Sequence, residues 1–237
     1  MCIRDRVHGV GAQIDIDSNS IIMLLEGGLL AARDTNGVID LNAPLISLNP
    51  GSAITAGAEF DDRTGTPVPV LTASGGDIAL RAANEMFIGG SVTASGDLVI
   101  EAGAPVNPDI DDDDPIYTLY NKAAYFADIA KVDADHYLLQ QQDFSLLVTG
   151  TITTLADAAA LSLSATNDVI IRGNINVNGA NGSLQVQSDI WVYIEGFITV
   201  QDRITVLGGL TVDGVDLGGA DLKGNSVHVH ALSLIHI

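Results

Sequence analysis

Several short constellations in this chain carry groups that could do chemistry. Asp15, Asp17 and Asn19, followed by Glu26, put oxygen ligands at positions 1, 3, 5 and 12 of a calcium-binding loop. Ser20 stands where such a loop needs glycine for its sharp turn, and no helical pattern precedes Asp15. The same residues read more simply as two strands, 13–17 and 21–25, joined by a Ser-Asn turn. The run Asp109–Asp114 holds five carboxylates in six residues. Clustered carboxylates attract hard cations, but a solvated acidic loop with at most weak Ca2+ binding is the expectation here. His228 and His230 alternate on one strand and so share a face, as two zinc ligands would. No third ligand stands near them in sequence, so an outer strand wall is expected. None of these patterns assigns a metal or cofactor residue.

Sugar chemistry would need carboxylates and a cation converging on one groove. Outside the first six residues the arginines are Arg33, Arg63, Arg81, Arg172 and Arg203. Arg81 is expected to pair with Glu101 across neighbouring strands. Six of the eleven aromatic residues fall at Tyr117, Tyr120, Tyr125, Phe126, Tyr137 and Phe144, a cluster suited to recognition or to fastening that segment down. If Ile190, Val192 and Ile194 face inward, Trp191 and Tyr193 face out, where rings can stack on sugars or lie under a neighbouring segment. No nucleophile elbow, phosphate loop or metalloprotease helix occurs, so no catalytic residue is assigned.

These groups must be carried by strands and turns. Asp outnumbers Glu 25 to 5, and glycine reaches 25 residues. Asp, Asn and Gly favour turns, whereas helical surfaces favour Glu and Lys. A formal charge of −20 disfavours nucleic acid and anionic membrane surfaces as partners. No apolar run is long enough to span a bilayer, so no membrane insertion is expected. The single cysteine, Cys2, leaves no internal disulfide to form.

Alternation and repetition give the architecture. Gly76-Asp77-Ile78-Ala79-Leu80-Arg81-Ala82 recurs as Gly96-Asp97-Leu98-Val99-Ile100-Glu101-Ala102. Leu184 and Val186 map onto Ile204 and Val206. Ile190 and Val192 map onto Leu210 and Val212, and Val169 and Ile171 onto Ile190 and Val192. Period-two alternation marks half-buried strands, and Gly-Asn, Asn-Gly and Gly-Gly pairs mark the turns. Strands that reset about every twenty residues predict an all-β chain. The form expected is a right-handed parallel β-helix, a solenoid of about 20 residues and three strands per coil, with an antiparallel sandwich as runner-up. Eight or nine coils at sheet spacing would make a rod about 40 Å long.

The expected divisions are 7–107 and 146–231 as β-helical blocks, with 108–145 as an insertion of acidic loop and short helix. Residues 49–69 are expected to protrude as a loop. The terminal hexapeptides, 1–6 and 232–237, back-translate to reverse-complementary DNA strings that look like a transposase-type sequencing adapter. They are therefore set aside as artefacts of a fragment, of the kind metagenomic libraries yield.

Three stretches then carry a resemblance: Gly-Gly-Asp-Ile-Ala-Leu-Arg-Ala at 75–82, Gly-Gly-Ser-Val-Thr-Ala-Ser-Gly-Asp-Leu-Val-Ile at 89–100, and Asn-Asp-Val-Ile-Ile-Arg-Gly-Asn-Ile-Asn-Val-Asn-Gly at 167–179. They resemble the repeats of filamentous-haemagglutinin-like bacterial exoproteins, over residues 74–103 and 161–229. That resemblance implies a secreted or cell-surface, adhesin-type protein in which this chain is a non-enzymatic shaft. Its partners would be neighbouring coils of the parent chain and host or matrix glycans. A polysaccharide-processing β-helix enzyme (a lyase or hydrolase) and a carbohydrate-binding module are the alternatives.

Overall fold

A computed structural model describes residues 2–3, 6–10, 13–33, 37–60, 67–69, 76–103, 146–166, 168–189, 192–208, 215–216, 221–224 and 226–231. Every regular element among them is a strand. The strands form a 14-stranded and a 9-stranded sheet. All ladders are parallel except one, where Pro67–Pro69 runs antiparallel to Ala53–Phe60. The smaller sheet stacks Arg6–Val10, Leu29–Arg33, Ala53–Phe60, Ser91–Ala94, Thr151–Thr154, Asn174–Val177, Phe197–Val200 and Asp221–Lys223 in that order.

The expected right-handed β-helix is not what forms. The strands make two parallel sheets that curl into a half-barrel, not three separate faces of a coil. The reason lies in two long strands, Val38–Leu48 and Ile78–Ile88. The first half of Ile78–Ile88 pairs with Leu98–Ala102, through Ile78↔Leu98 and Ala82↔Ala102. Its second half pairs with Leu146–Val148, through Met86↔Leu146 and Ile88↔Val148. No turn separates the halves, so two rows merge into one curled sheet.

The fixed twenty-residue step fails as well. Ile78↔Leu98 and Leu184↔Ile204 keep it, but Leu161 pairs with Leu184 and Val169 with Val192, both twenty-three residues on. The expected matches of Val169 with Ile190, and of Val192 with Val212, are thus displaced; Val192 pairs with Val215. For Leu161↔Leu184 and Val169↔Val192 the extra three residues sit in one connection, whereas Val192↔Val215 keeps the longer step across a shorter one. Thr154 and Val177 are each followed by a five-residue turn before the next strand, whereas Val200 is followed only by Gln201 and Asp202.

Two further expectations change. Residues 49–69 are not simply a protruding loop, because Ala53–Phe60 is an eight-residue strand with Ile54 and Ala56 buried. No helix occurs among the described residues, and the expected insertion at 108–145, with its helix and aromatic cluster, lies outside them.

Parallel strands need long crossovers. Here the crossovers are themselves strands: Ala160–Ala165 and Val169–Ile171 lie in the larger sheet and Asn174–Val177 in the smaller, so each round visits the larger sheet twice and the smaller once. Inward residues then stack in register from row to row. Leu98, Leu161, Leu184 and Ile204 form one such file. Ile54, Val92, Ile152, Ile175 and Ile198 form another on the smaller sheet. Both belong to a single aliphatic core between the sheets. Outward residues are half-buried or exposed, which produces the alternation seen in the sequence.

The rows also touch backbone to backbone at the corners before the smaller sheet. A Cβ on Gly150 would lie 1.9 Å from Gly90 O; on Gly173, 2.0 Å from Gly150 O; on Gly196, 1.9 Å from Gly173 O. Only glycine fits such backbone stacking. At each corner one strand-end carbonyl accepts two N–H groups: Val148 O from Arg172 and Gly173 (2.8 and 3.0 Å), Ile171 O from Glu195 and Gly196 (2.8 and 3.1 Å). Both lone pairs are used.

Inward positions are not all aliphatic: Ser188, which alternates inward with Leu184 and Val186, and Thr154 are polar and buried. Thr154 stacks between Ala94 and Val177, is fully buried, and its Oγ1 makes no hydrogen bond. An unsatisfied buried hydroxyl costs about 1–3 kcal/mol. Thr154→Val keeps the shape and the branched β carbon, so it should stabilise the fold by a similar amount, read as a higher urea midpoint at unchanged slope. A lower midpoint would mean that the hydroxyl is satisfied. By the same measurement Leu163→Ala should lose about 2–5 kcal/mol, and the outward Ser162→Ala should stay within about 0.5 kcal/mol of the parent.

Candidate functional site

The outer walls hold two charged clusters. In the first, Arg81 pairs backbone-to-backbone with Glu101 on one side and with Asn42 on the other. Its Nη1 donates to Asp40 Oδ1 and Oδ2 at 2.8 and 3.0 Å, and its Nε lies 3.3 Å from Glu101 Oε2. The Arg81–Glu101 pair expected from the sequence is therefore present. Asp40, forty-one residues away, is the partner that sequence reasoning missed. All three side chains are more than a third exposed, so each pair contributes no more than about 1 kcal/mol.

The second cluster lies at the glycine corners. Arg172 follows Val169–Ile171, and Glu195 holds the equivalent place after Val192–Ile194 one row on. Stacking brings Arg172 Nε within 2.8 Å of Glu195 Oε2. Tyr193 alternates outward between the buried Val192 and Ile194, as expected. Its hydroxyl donates to Glu195 Oε1, and the Arg172 guanidinium sits 5.9 Å from its ring centre, within cation–π range. Only 15% of the Arg172 side chain is exposed, so this pair is better shielded than the one at Arg81. Burial, and then the hydrogen bond and charge of Glu195, push the Tyr193 phenol up to about 12. At neutral pH the phenol is therefore a hydrogen-bond donor and not a base, and both Glu195 oxygens are engaged.

Among the described residues, the calcium-loop set Asp15, Asp17, Asn19 and Glu26 does not converge. Asp15 and Asp17 are exposed on Gln13–Asp17, in register with Asp40 and Asn42. Asn19 lies in the following bend, and Glu26 lies in the turn after Ile21–Leu24, beside Gly51. No group of three metal-ligating side chains occurs among the described residues. His228 is exposed opposite Thr205, and His230 pairs by backbone with Leu207. Arg203 is exposed between Ser183 and Ser226. Asp109–Asp114, Arg63, Trp191 and the side chain of Arg33 lie outside the described residues.

Sequence reasoning also missed a use of aspartate. Asp77 Oδ1 accepts from Asp97 N–H at 2.9 Å, and Asp97 Oδ1 in turn from Ala160 N–H at 2.8 Å. Asp157 Oδ1 accepts from Ala180 N–H at 2.7 Å. These carboxylates cap turn amides of the next row. The repeated Gly-Asp before a strand, at 76–77 and 96–97, was the signal available. A shallow groove of about 310 Å³ is lined by glycine, Ser52, Ala53, Ser91 and Thr151 and carries no titratable side chain.

No protein-family model, curated protein or solved structure matches this chain.

Titration tests the second cluster. The raised Tyr193 pKa means that its neutral form is favoured by folding. That contribution is fully present below the ordinary value of 10.0 and is lost as pH rises through about 12. Phenolate absorbance of the parent minus that of Tyr193→Phe should therefore show a transition above the ordinary tyrosine range. Glu195→Gln should move it down. A transition at the ordinary value in the parent would remove the hydrogen bond.

Proposed function

We propose that this chain is a structural shaft segment of a large secreted or surface-attached, adhesin-like exoprotein, and that it does no catalysis. The observation that carries this reading is the uninterrupted file of parallel strands in the smaller sheet. Eight of them stack in one direction, and at about 4.8 Å per spacing they extend the molecule by about 34 Å. Stiffness comes from the corner backbone contacts and the aliphatic files, which leave little room for rows to shear. The side chains with chemical potential serve the stack itself. Arg81, Arg172, Glu195 and the turn aspartates each bridge neighbouring rows.

A shaft adds length in proportion to its copy number. One or two copies placed between two fluorescent proteins should differ in marker separation by about 34 Å, measured by energy transfer or negative-stain imaging. No gain, or a broad distribution of separations, would count against a shaft. A polysaccharide-processing enzyme is the competing reading. Robust glycan turnover abolished by Arg172→Ala or Arg81→Ala would establish it and sink the shaft.

Phe197 favours a second reading, a carbohydrate-binding face. It is 65% exposed. It stands on the outer side of the smaller sheet, in register with Asn174 on one side and Asp221 on the other, with Thr151 one row beyond Asn174. A neutral sugar ring could lie on that surface. Unchanged binding to neutral glycans after Phe197→Ala, and after Trp191→Ala, would remove this reading.

A further inference from the structure

Two Asn-Gly pairs share one turn. Residues 178–182 connect Asn174–Val177 to Ser183–Ser188 and stack on the turn at 155–159. In any Asn-Gly pair the glycine nitrogen can approach the asparagine carboxamide, because no Cβ blocks it. Asn178 and Asn181 are both exposed, so burial does not distinguish them. Hydrogen bonding does. Gly182 N–H donates to Gly179 O at 2.9 Å, whereas Gly179 N–H donates to no acceptor among the described residues. The rest of the turn is held firmly. Asn178 N–H donates to Thr154 O at 3.0 Å, Ala180 N–H to Asp157 Oδ1 at 2.7 Å, and Ser183 N–H to Ala159 O at 3.1 Å.

We infer that Asn178 is a site of spontaneous deamidation and that the hydrogen bond of Gly182 protects Asn181. The Gly179 nitrogen forms a bond to Asn178 Cγ and gives its proton to water. The Cγ–Nδ2 bond breaks and ammonia leaves. The five-membered imide takes up one water and opens at either carbonyl, to aspartate or to isoaspartate. One water is consumed and one ammonia released, with no oxidant or cofactor. Both products strain the turn. A carboxylate at 178 joins that of Asp157 in the turn beneath. Isoaspartate also routes the main chain through an extra methylene, between an amide fixed to Thr154 and the close backbone contact of Gly179, whose Cβ position lies 1.8 Å from Ala156 O.

Gly182 must give up its hydrogen bond before it can attack. That hydrogen bond is equivalent to about a tenfold slower reaction, ~1.4 kcal/mol of barrier. The folded chain, incubated at mildly alkaline pH and followed by peptide mapping and mass spectrometry, should deamidate at Asn178 about tenfold faster than at Asn181. The same chain unfolded in urea should show no such preference. Asn178→Ser should remove the fast phase and leave the slow one. Equal rates in the folded chain, a preference that persists in urea, or reaction at Asn178 only after unfolding would each overturn the inference.

Discussion

The contact on which the rest depends is backbone against backbone at the glycine corners. Gly150, Gly173 and Gly196 each place the Cβ position about 2 Å from the carbonyl of the glycine one row below. Nothing larger can stand there, and nothing smaller exists. The contact fixes the height of each row over the last, and the paired N–H donors to Val148 O and Ile171 O fix its lateral position. With both set, the strands on either side of the corner fall into register without further choice. The aliphatic files then follow, because like residues repeat at like positions. A slip of one residue would turn each file outward.

The charge of the chain has an architectural meaning that composition hides. Aspartate is short, and from the start of a strand its carboxylate reaches only as far as the turn amide of the adjoining row. Glutamate is longer and works along the wall, as Glu101 does with Arg81 and Glu195 with Arg172. Many carboxylates on one surface repel each other. Each one that accepts a backbone N–H or faces a guanidinium offsets part of that cost, so the acidic surface is also a set of fastenings.

The sequence disclosed the strands well and their assembly less well. Alternation identified Ile78 to Ala82, Leu98 to Ala102, Leu184 to Val186 and Ile204 to Val206, and it found their mutual register. It also oriented Tyr193. It did not show that Val38–Leu48 and Ile78–Ile88 run on through a corner, because a continuous strand and two abutting strands share one apolar pattern. Nor did it show the twenty-three-residue step, since turn residues carry no alternation that could mark a longer connection. The second cluster was hidden for that reason: Arg172 and Glu195 meet only when the step is twenty-three. Ala53–Phe60 was masked by its small residues, which bury as effectively as larger ones where rows lie close.

The unequal turns have an evolutionary corollary. After Thr154 and Val177 the connection has five residues, and after Val200 it has two, yet the strands that follow pair without a bulge. An in-frame gain or loss of three codons at that point leaves the hydrophobic files untouched. A single codon gained inside a strand would reverse the inside and outside of everything after it in that row. Such a chain should therefore tolerate changes of length at this corner, and a duplication whose breakpoints fall there would lengthen the molecule without turning any aliphatic file outward.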